Sequence, residues 1–360
     1  MKKIIFYIDS MQLGGAQRVM NNLLNYYVSQ EVEVILINDI VPVNDFPEYA
    51  IHSSVKRLFL DDRELSRIEK NMHRIVKLRK IVKEENPDVM LSFLGPPNIR
   101  MLMATIGLNS KKVVSVRNDP HREYGFGIKK IISKIIFQLA DGCVFQTKDA
   151  MEYFGNKLKK KAKIIFNPVD ERFYKTEWNA KKKHVVAIGR LEPQKNPELL
   201  IRAFANISPR FPDYELHMYG EGNLKKFLAE LCAELGIQNR VFLNGHTNEV
   251  ETKLSEATVF ALTSDYEGMP NILMEAMAVG IPVITTDCPC GGPRMLINND
   301  NEGILVTCGD EKMLSDAMEK ILSSQEVRTR MSENERKRAK VFQPEIIYSE
   351  WNDFLMQIIQ

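Results

Sequence analysis

The sequence predicts an α/β protein built from two doubly wound, parallel-sheet domains in tandem, and three observations lead there. Its 360 residues exceed the ~250–300 at which a single hydrophobic core stops growing. Its composition, 44% hydrophobic and 27% charged, is that of a folded chain rather than a disordered one. Short apolar runs of strand length alternate throughout with longer segments of helical spacing. Those runs are continuous rather than alternating, which implies burial on both faces and hence parallel sheets covered by helices.

In the first half the expected strands are KIIFYI (3–8), VEVILI (32–37), DVMLSF (88–93), KVVSV (112–116), GCVFQ (142–146) and KIIFN (163–167). Helical spacing fills 16–29 and 65–85 between them. The second half repeats the pattern with HVVAIG (184–189), YELHMYG (214–220), RVFLNG (240–245), VFALTS (259–264), PVITT (282–286) and GILVT (303–307). Pro168 and the charged, weakly periodic stretch 167–183 mark the junction. The expected domains are therefore 1–170 and 171–344, followed by an amphipathic helix over 345–359. Ligands of such folds sit at the carboxyl ends of the strands.

The net charge of +2 conceals an asymmetry. Residues 1–170 hold 27 Lys and Arg against 19 Asp and Glu, a net +8, and the remainder holds 22 against 28, a net −6. The basic surplus peaks between Gly125 and Lys163. Such a surface suits nucleic acid, an anionic membrane or an acidic substrate, or is simply a solvated basic face. No apolar run approaches the ~18 residues of a membrane span, and Asp9 ends the first run too early for a signal peptide. Five cysteines without a CxxC pair fit reduced thiols in the cytoplasm. There is no D-x-D, no HExxH and no clustered histidine, and Cys288-Pro-Cys290 is too tightly spaced for a zinc half-site. No metal and no cofactor are expected. Neither G-x-G-x-x-G nor G-x-x-x-x-G-K-[ST] is present, which argues against a nicotinamide enzyme or a phosphate-loop nucleotidase.

The most informative window is SDYEGMPNILMEAMAVGIPVI (264–284). A strand runs into a turn at Gly268, Pro270 is placed at the first helical position, and NILMEAMAV is helical. Backbone amides of Gly268, Met269, Asn271 and Ile272, at the positive end of the helix dipole, would form an anion site suited to phosphate or diphosphate. Glu267 and Glu275 flank that cradle and suit neutral hydroxyls, a ribose on one side and a sugar on the other. Arg190 and Lys195, after the strand 184–189, can neutralise a diphosphate, the first as a fork and the second as a point charge. Gly220 and Gly222 let backbone approach a ligand, and Gly245 with His246 would offer contacts to a base. In the first half, Gly14 and Gly15 open a helix toward an anion. Arg117, Asn118, Asp119, His121 and Arg122 form a polar cluster beyond the fourth strand, either an acceptor or sugar loop or an ordinary Asn-Asp-Pro turn.

These windows resemble the retaining glycosyltransferases of family 4, whose two Rossmann-like domains face across a cleft in the arrangement called GT-B. LGGAQRV, NPDVMLSF, AIGRLEPQKN, YGEG, VFLNGH, DYEGMPNILMEAMAVGIPVI and EGILV carry the likeness through nearly the whole chain. DCPCGGP and SVRNDP are similar to members that build bacterial capsule, exopolysaccharide and related surface glycans. The resemblance implies that Arg190 and Lys195 contact the donor diphosphate and that Gly15 approaches it. It implies that Glu275 binds the ribose, and that Glu267 with residues 268–271 holds the donor sugar and its phosphate. It also implies a catalytic role for Arg190, Lys195 and Glu267, an amino-terminal acceptor domain, a last helix (345–360) crossing back onto it, and metal-free retaining transfer. Two positions depart from the pattern: Arg117 stands where relatives have a histidine, and Met295 where they have a glutamate. The expected activity is transfer of a sugar from a nucleotide-diphosphate donor, a UDP-sugar, to a lipid-linked glycan at the inner face of the membrane. An anionic membrane surface is the expected partner and nucleic acid is not. A nucleotide-sugar epimerase, a phosphorylase and a non-catalytic sugar-nucleotide binding protein remain alternatives.

Overall fold

Continuous apolar strands do become two fully parallel sheets. The structure is a computed structural model describing residues 1–42, 47–60 and 66–360. The chain divides into one unit of Met1–Asn167 with Glu345–Gln360 and another of Pro168–Pro344.

The first unit holds β1 (Lys3–Ile8), β2 (Glu33–Asn38), β3 (Lys56–Phe59), β4 (Val89–Phe93), β5 (Lys111–Val116), β6 (Gly142–Phe145) and β7 (Ala162–Ile164). They lie in the order β3-β2-β1-β4-β5-β6-β7. Register is set by apolar pairs such as Ile4 with Val34 and with Val89. β1 and β4 are buried along nearly their whole length between helices, which is why they read as unbroken apolar runs. β3 was not foreseen: KRLF is an edge strand that is half exposed and mostly polar at its start. The helix expected over 65–85 runs Arg67–Glu85, capped by a reciprocal Ser66–Glu69 box; Leu65 lies outside the described residues.

The last helix, Pro344–Ile359, packs into this same unit. Trp351 is fully buried, with its ring stacked 6.0 Å from Phe93, and Tyr348 stacks 4.8 Å from Tyr26. Gly142 leaves room for it, since a Cβ there would collide with Ile358 and sit 3.1 Å from Phe354.

The second unit holds β8 (His184–Ile188), β9 (Glu215–Tyr219), β10 (Val241–Gly245), β11 (Val259–Leu262), β12 (Val283–Thr286) and β13 (Ile304–Val306). Their order is β10-β9-β8-β11-β12-β13. Its core gathers Val185, Val259 and Ile284 against Leu200 and Phe204 of the helix Pro197–Ile207 and Met318 of the helix Glu311–Ser323. In both sheets the chain order reverses beside the first strand, between β1 and β4 and between β8 and β11. At such a switch point the connections leave on opposite sides and open a crevice at the carboxyl ends. Among the described residues no helix is long and apolar enough to cross a membrane.

Candidate functional site

In the second unit the motif residues meet at the switch point. β8 ends into Gly189, Arg190 and the short 3-10 turn Pro193–Lys195. β11 ends into residues 263–270, ahead of the helix Asn271–Val279. Side chains and backbone lace the two loops together. The Asp265 amide donates to the Gln194 carbonyl (2.9 Å), Gln194 Nε2 donates to the Tyr266 carbonyl (3.1 Å), and Asn196 Nδ2 donates to Asp265 Oδ1 (2.9 Å). The Thr263 hydroxyl donates to the Lys195 and Asn196 carbonyls at 3.0 and 2.9 Å.

The centre of this lacing is an ion pair between Lys195 Nζ and Glu267 Oε1, both largely shielded. Glu267 Oε1 also accepts from the Ser264 hydroxyl at 2.7 Å. The Lys195 stem lies over Gly189, 3.6 Å from where a Cβ would stand. Arg190 is at the exposed rim, held by Glu192 Oε2 at 2.8 Å and by Gln194 Oε1 at 3.1 Å. The two cations expected to share an anion are therefore each paired with a carboxylate but differ in setting, Arg190 at the exposed rim and Lys195 largely shielded.

Gly268, Met269 and Pro270 are buried and Asn271 is half-buried. Pro270 is the N-cap, in extended conformation, and Asn271 is the first helical residue, so the expected position is shifted by one. The loop rests on residues 289–292. The Glu267 amide donates to the Pro289 carbonyl at 3.4 Å, and Gly292 packs so closely that a Cβ would strike the Gly268 carbonyl. Glu275 is buried on the same helix. Met295 lies on the helix Gly292–Leu296, where its carbonyl accepts from Arg338 Nη2 at 2.9 Å.

Three glycines close the floor. The Gly189 amide donates to the Tyr219 carbonyl (2.9 Å), and the Gly220 amide to the Gly245 carbonyl (2.7 Å). Gly220 (φ +145°) and Gly245 (φ +76°) adopt backbone that other residues rarely take, and a Cβ on Gly220 would strike the Gly189 carbonyl. A hollow lined by Gly189, Arg190, Lys195, Tyr219 and Thr263 lies above them. His246 follows β10 and is exposed.

In the first unit, Gly15 is the first residue of the helix Gly15–Ser29, with Gly14 as its N-cap. Arg117 is buried beyond β5. Its Nη2 donates to Asn167 Oδ1 at 2.6 Å, and its guanidinium lies 4.4 Å from the Phe93 ring centre. Nε is buried without a hydrogen-bond partner, and burial lowers the guanidinium to about 9. Asn118 accepts from the Asp119 amide and Asp119 from the His121 amide, both at 2.9 Å, so this pair builds the turn and caps the helix Pro120–Tyr124. His121 stacks 5.0 Å from Phe126 with its Nδ1 buried and unpartnered. Burial, and then the neighbouring Asp119 charge, pushes the Glu123 carboxyl up to about 8.

Sequence reading missed the buried Asp39–Arg100 ion pair at the carboxyl end of β2, which Tyr7 joins through a 2.6 Å bond to Asp39. Only strand order brings these residues together. It also treated the histidines as scattered, whereas the β8–β9 register sets His184 opposite Glu215 with His217 two residues on. Among the described residues this is the one trio of metal-type donors that converges. The imidazoles stack 3.9 Å apart at 23°, so their lone pairs run side by side rather than toward one point, and Glu215 Oε2 sits 3.3 and 2.9 Å from the two Nε2 atoms. Burial and the neighbouring His217 hold His184 down at about 4.

Residues 13–173 match the family described as Glycosyltransferase Family 4, and residues 169–338 the family described as Glycosyl transferases group 1. An uncharacterized glycosyltransferase of Methanocaldococcus jannaschii is 31% identical over 78% of this chain and 82% of its own length. The chain belongs to glycosyltransferase family 4. This glycosyltransferase is also 28% identical, over 99% of both chains, to a Campylobacter jejuni α-1,4-N-acetyl-D-galactosaminyltransferase. The name of that enzyme gives its acceptor as GalNAc-alpha-(1->4)-GalNAc-alpha-(1->3)-diNAcBac-PP-undecaprenol. Among solved structures, Anabaena HepE in complex with UDP superposes with a TM-score of 0.81 at 17% identity, covering 99% of this chain and 100% of that one. The fold of this glycosyltransferase is GT-B, with two Rossmann-like domains.

Proposed function

We propose that this glycosyltransferase moves a sugar from a UDP-sugar to a lipid-linked glycan, with retention, in the assembly of a bacterial surface polysaccharide. One observation carries the donor half of the reading: Lys195, Glu267, Arg190 and the start of the helix Asn271–Val279 gather at the carboxyl ends of β8 and β11. Cations and a helix start directed at one place stabilise a departing diphosphate as its charge develops. A diphosphate entering there competes with Glu267 for Lys195. The lysine turns to the phosphates, and the freed carboxylate accepts hydroxyls of the donor sugar. Arg190, held by Glu192 and Gln194 at the rim, closes on the other phosphate oxygens. The buried Glu275 takes the ribose hydroxyls, and Gly220, Gly245 and His246 border the base. In this reading protein cations do what a divalent ion does in other transferases, and no cofactor takes part. Gly15 of the first unit takes part in donor binding, and Arg117, Asn118, Asp119 and His121 form the acceptor or sugar loop.

UDP is favoured by the Anabaena complex, and a lipid diphosphate acceptor by the acceptor named for the Campylobacter relative. A panel of UDP-, GDP- and ADP-sugars, offered with an undecaprenyl-diphosphate-linked glycan, tests the reading. A lengthened glycan and free UDP are expected, with the anomeric configuration of the donor kept in the product as read by proton NMR. Turnover with a GDP-sugar alone, or an inverted product, overturns the corresponding part.

A further inference from the structure

The helix Gly127–Phe137, GIKKIISKIIF, is oriented against the usual rule. A helix on a water-soluble protein turns its apolar stripe to the core and its polar face to solvent. Here Ile128, Ile131, Ile132 and Ile135, at i, i+3, i+4 and i+7, are 75, 58, 51 and 64% exposed, and Phe126 just before them is 70% exposed. At its end Phe137 anchors the helix inside, stacked 4.2 Å from Phe154, but the inward positions before it carry polar groups. Ser133 is buried and donates to the Lys130 carbonyl at 3.0 Å, and Lys130 Nζ lies 4.5 Å from the Tyr153 ring centre. The core did not call for four isoleucines on that outer face, so their contribution lies outside the folded chain.

The charge around the ridge selects what covers it. The helix has three lysines and no acidic residue, and residues 125–163 hold nine lysines against three acidic groups. Lys134 Nζ reaches Gly155, beside the exposed Lys157, Lys159 and Lys160. Pairing two copies through this ridge would set like charges against each other. An anionic bilayer satisfies both parts at once, with acyl chains for the isoleucines and phosphates for the lysines. Eleven residues rise only about 16 Å, half of a ~30 Å hydrocarbon core, so the helix lies in the interface rather than spanning it.

We infer that the helix Gly127–Phe137, led by Phe126, is a membrane-docking element that buries its isoleucine ridge in an anionic lipid surface. The inference rests on the reading that the acceptor is lipid-linked, and it names the surface that brings the enzyme to it. Co-sedimentation of the full chain with phosphatidylcholine vesicles, with and without phosphatidylglycerol, at low and high salt, tests it. The unsubstituted protein is expected to bind the phosphatidylglycerol vesicles. The double variant Ile131→Glu, Ile135→Glu, in exposed positions and checked for its thermal melt, is expected to bind at least about ten-fold more weakly at either salt, since apolar insertion is lost. Lys157→Gln with Lys159→Gln is expected to weaken binding at low salt only. Vesicle binding unchanged in the isoleucine variant, or absent in the unsubstituted protein, overturns the inference. So does a dimer in sedimentation equilibrium that the isoleucine variant abolishes while no vesicle is bound. Turnover on a water-soluble acceptor separates the two readings. An isoleucine variant that keeps turnover and vesicle binding sinks only the docking element, whereas vesicle binding without turnover in the unsubstituted protein sinks only the transferase reading.

Discussion

Replacing Lys195 by methionine removes one member of the pair at the centre of the proposed donor site, and its consequences separate into two measurable parts. The Lys195 and Glu267 side chains are 19% and 9% exposed. Breaking a fully buried pair costs about 3–5 kcal/mol, an exposed one about 0–1. Glu267 would keep its 2.7 Å bond from the Ser264 hydroxyl, so an intermediate loss of about 2 kcal/mol is expected. At ~2–4 °C per kcal/mol for a chain unit of this size, the melt should fall by about 4–8 °C. Donor affinity is separate: a charge-assisted hydrogen bond is worth about 1.5–3 kcal/mol, or a 10- to 150-fold rise in the Kd for UDP at ~1.4 kcal/mol per decade. The double variant Lys195→Met, Glu267→Gln leaves no uncompensated charge. It should regain most of the lost stability and none of the lost affinity. Calorimetric titration with UDP beside differential scanning calorimetry reads both. An unchanged Kd in the single variant, or a restored Kd in the double one, would refute a lysine–diphosphate contact.

Gly292→Ala places a methyl against the Gly268 carbonyl, 3.0 Å from Pro270 Cδ. Backbone must move, so the Kd for UDP is expected to rise at least about ten-fold, with about 1–3 kcal/mol lost in urea unfolding. Glu123, raised to about 8, keeps its proton in the folded state over a pH range where the unfolded chain has released it. Stability from this group is therefore highest below the ordinary carboxyl range and is lost as pH rises toward about 8, at up to ~1.4 kcal/mol per pH unit. Glu123→Gln should flatten that slope, as urea midpoints at pH 5 and pH 8 would show. Trp351→Ala empties a fully buried site between the last helix and Phe93. A loss of about 3–5 kcal/mol is expected in urea unfolding.

The fold was legible because its strands are buried on both faces: β1 and β4 read as unbroken apolar runs, and no other pattern competes with them. β3 escaped because KRLF sits at a sheet edge, half exposed, and its pattern carries no burial signal. In the candidate site, the spacing of Glu267, Gly268 and Pro270 announced a strand running into a helix start, and the structure moved the start by one residue. The Lys195–Glu267 pair was not legible. Each residue was assigned a ligand of its own, and 72 positions of chain separate them. Only the adjacency of β8 and β11 sets them face to face. The same holds for His184 and His217, 33 residues apart in the sequence and stacked because β8 and β9 are neighbours. The exposed isoleucines were hidden for another reason, since periodicity shows that a helix has an apolar stripe but not which way the stripe turns.

The return of the last helix to the first unit sets a timetable for synthesis. The seat for the last helix, formed around Phe93, Tyr26 and Gly142, is made early, while its occupant is separated from it by the whole of Pro168–Pro344. At ~5–20 residues per second a ribosome takes roughly 10–35 s to cross that interval. Through that time the nascent first unit carries an open aromatic groove. A chain stalled before residue 344 would leave that groove uncovered.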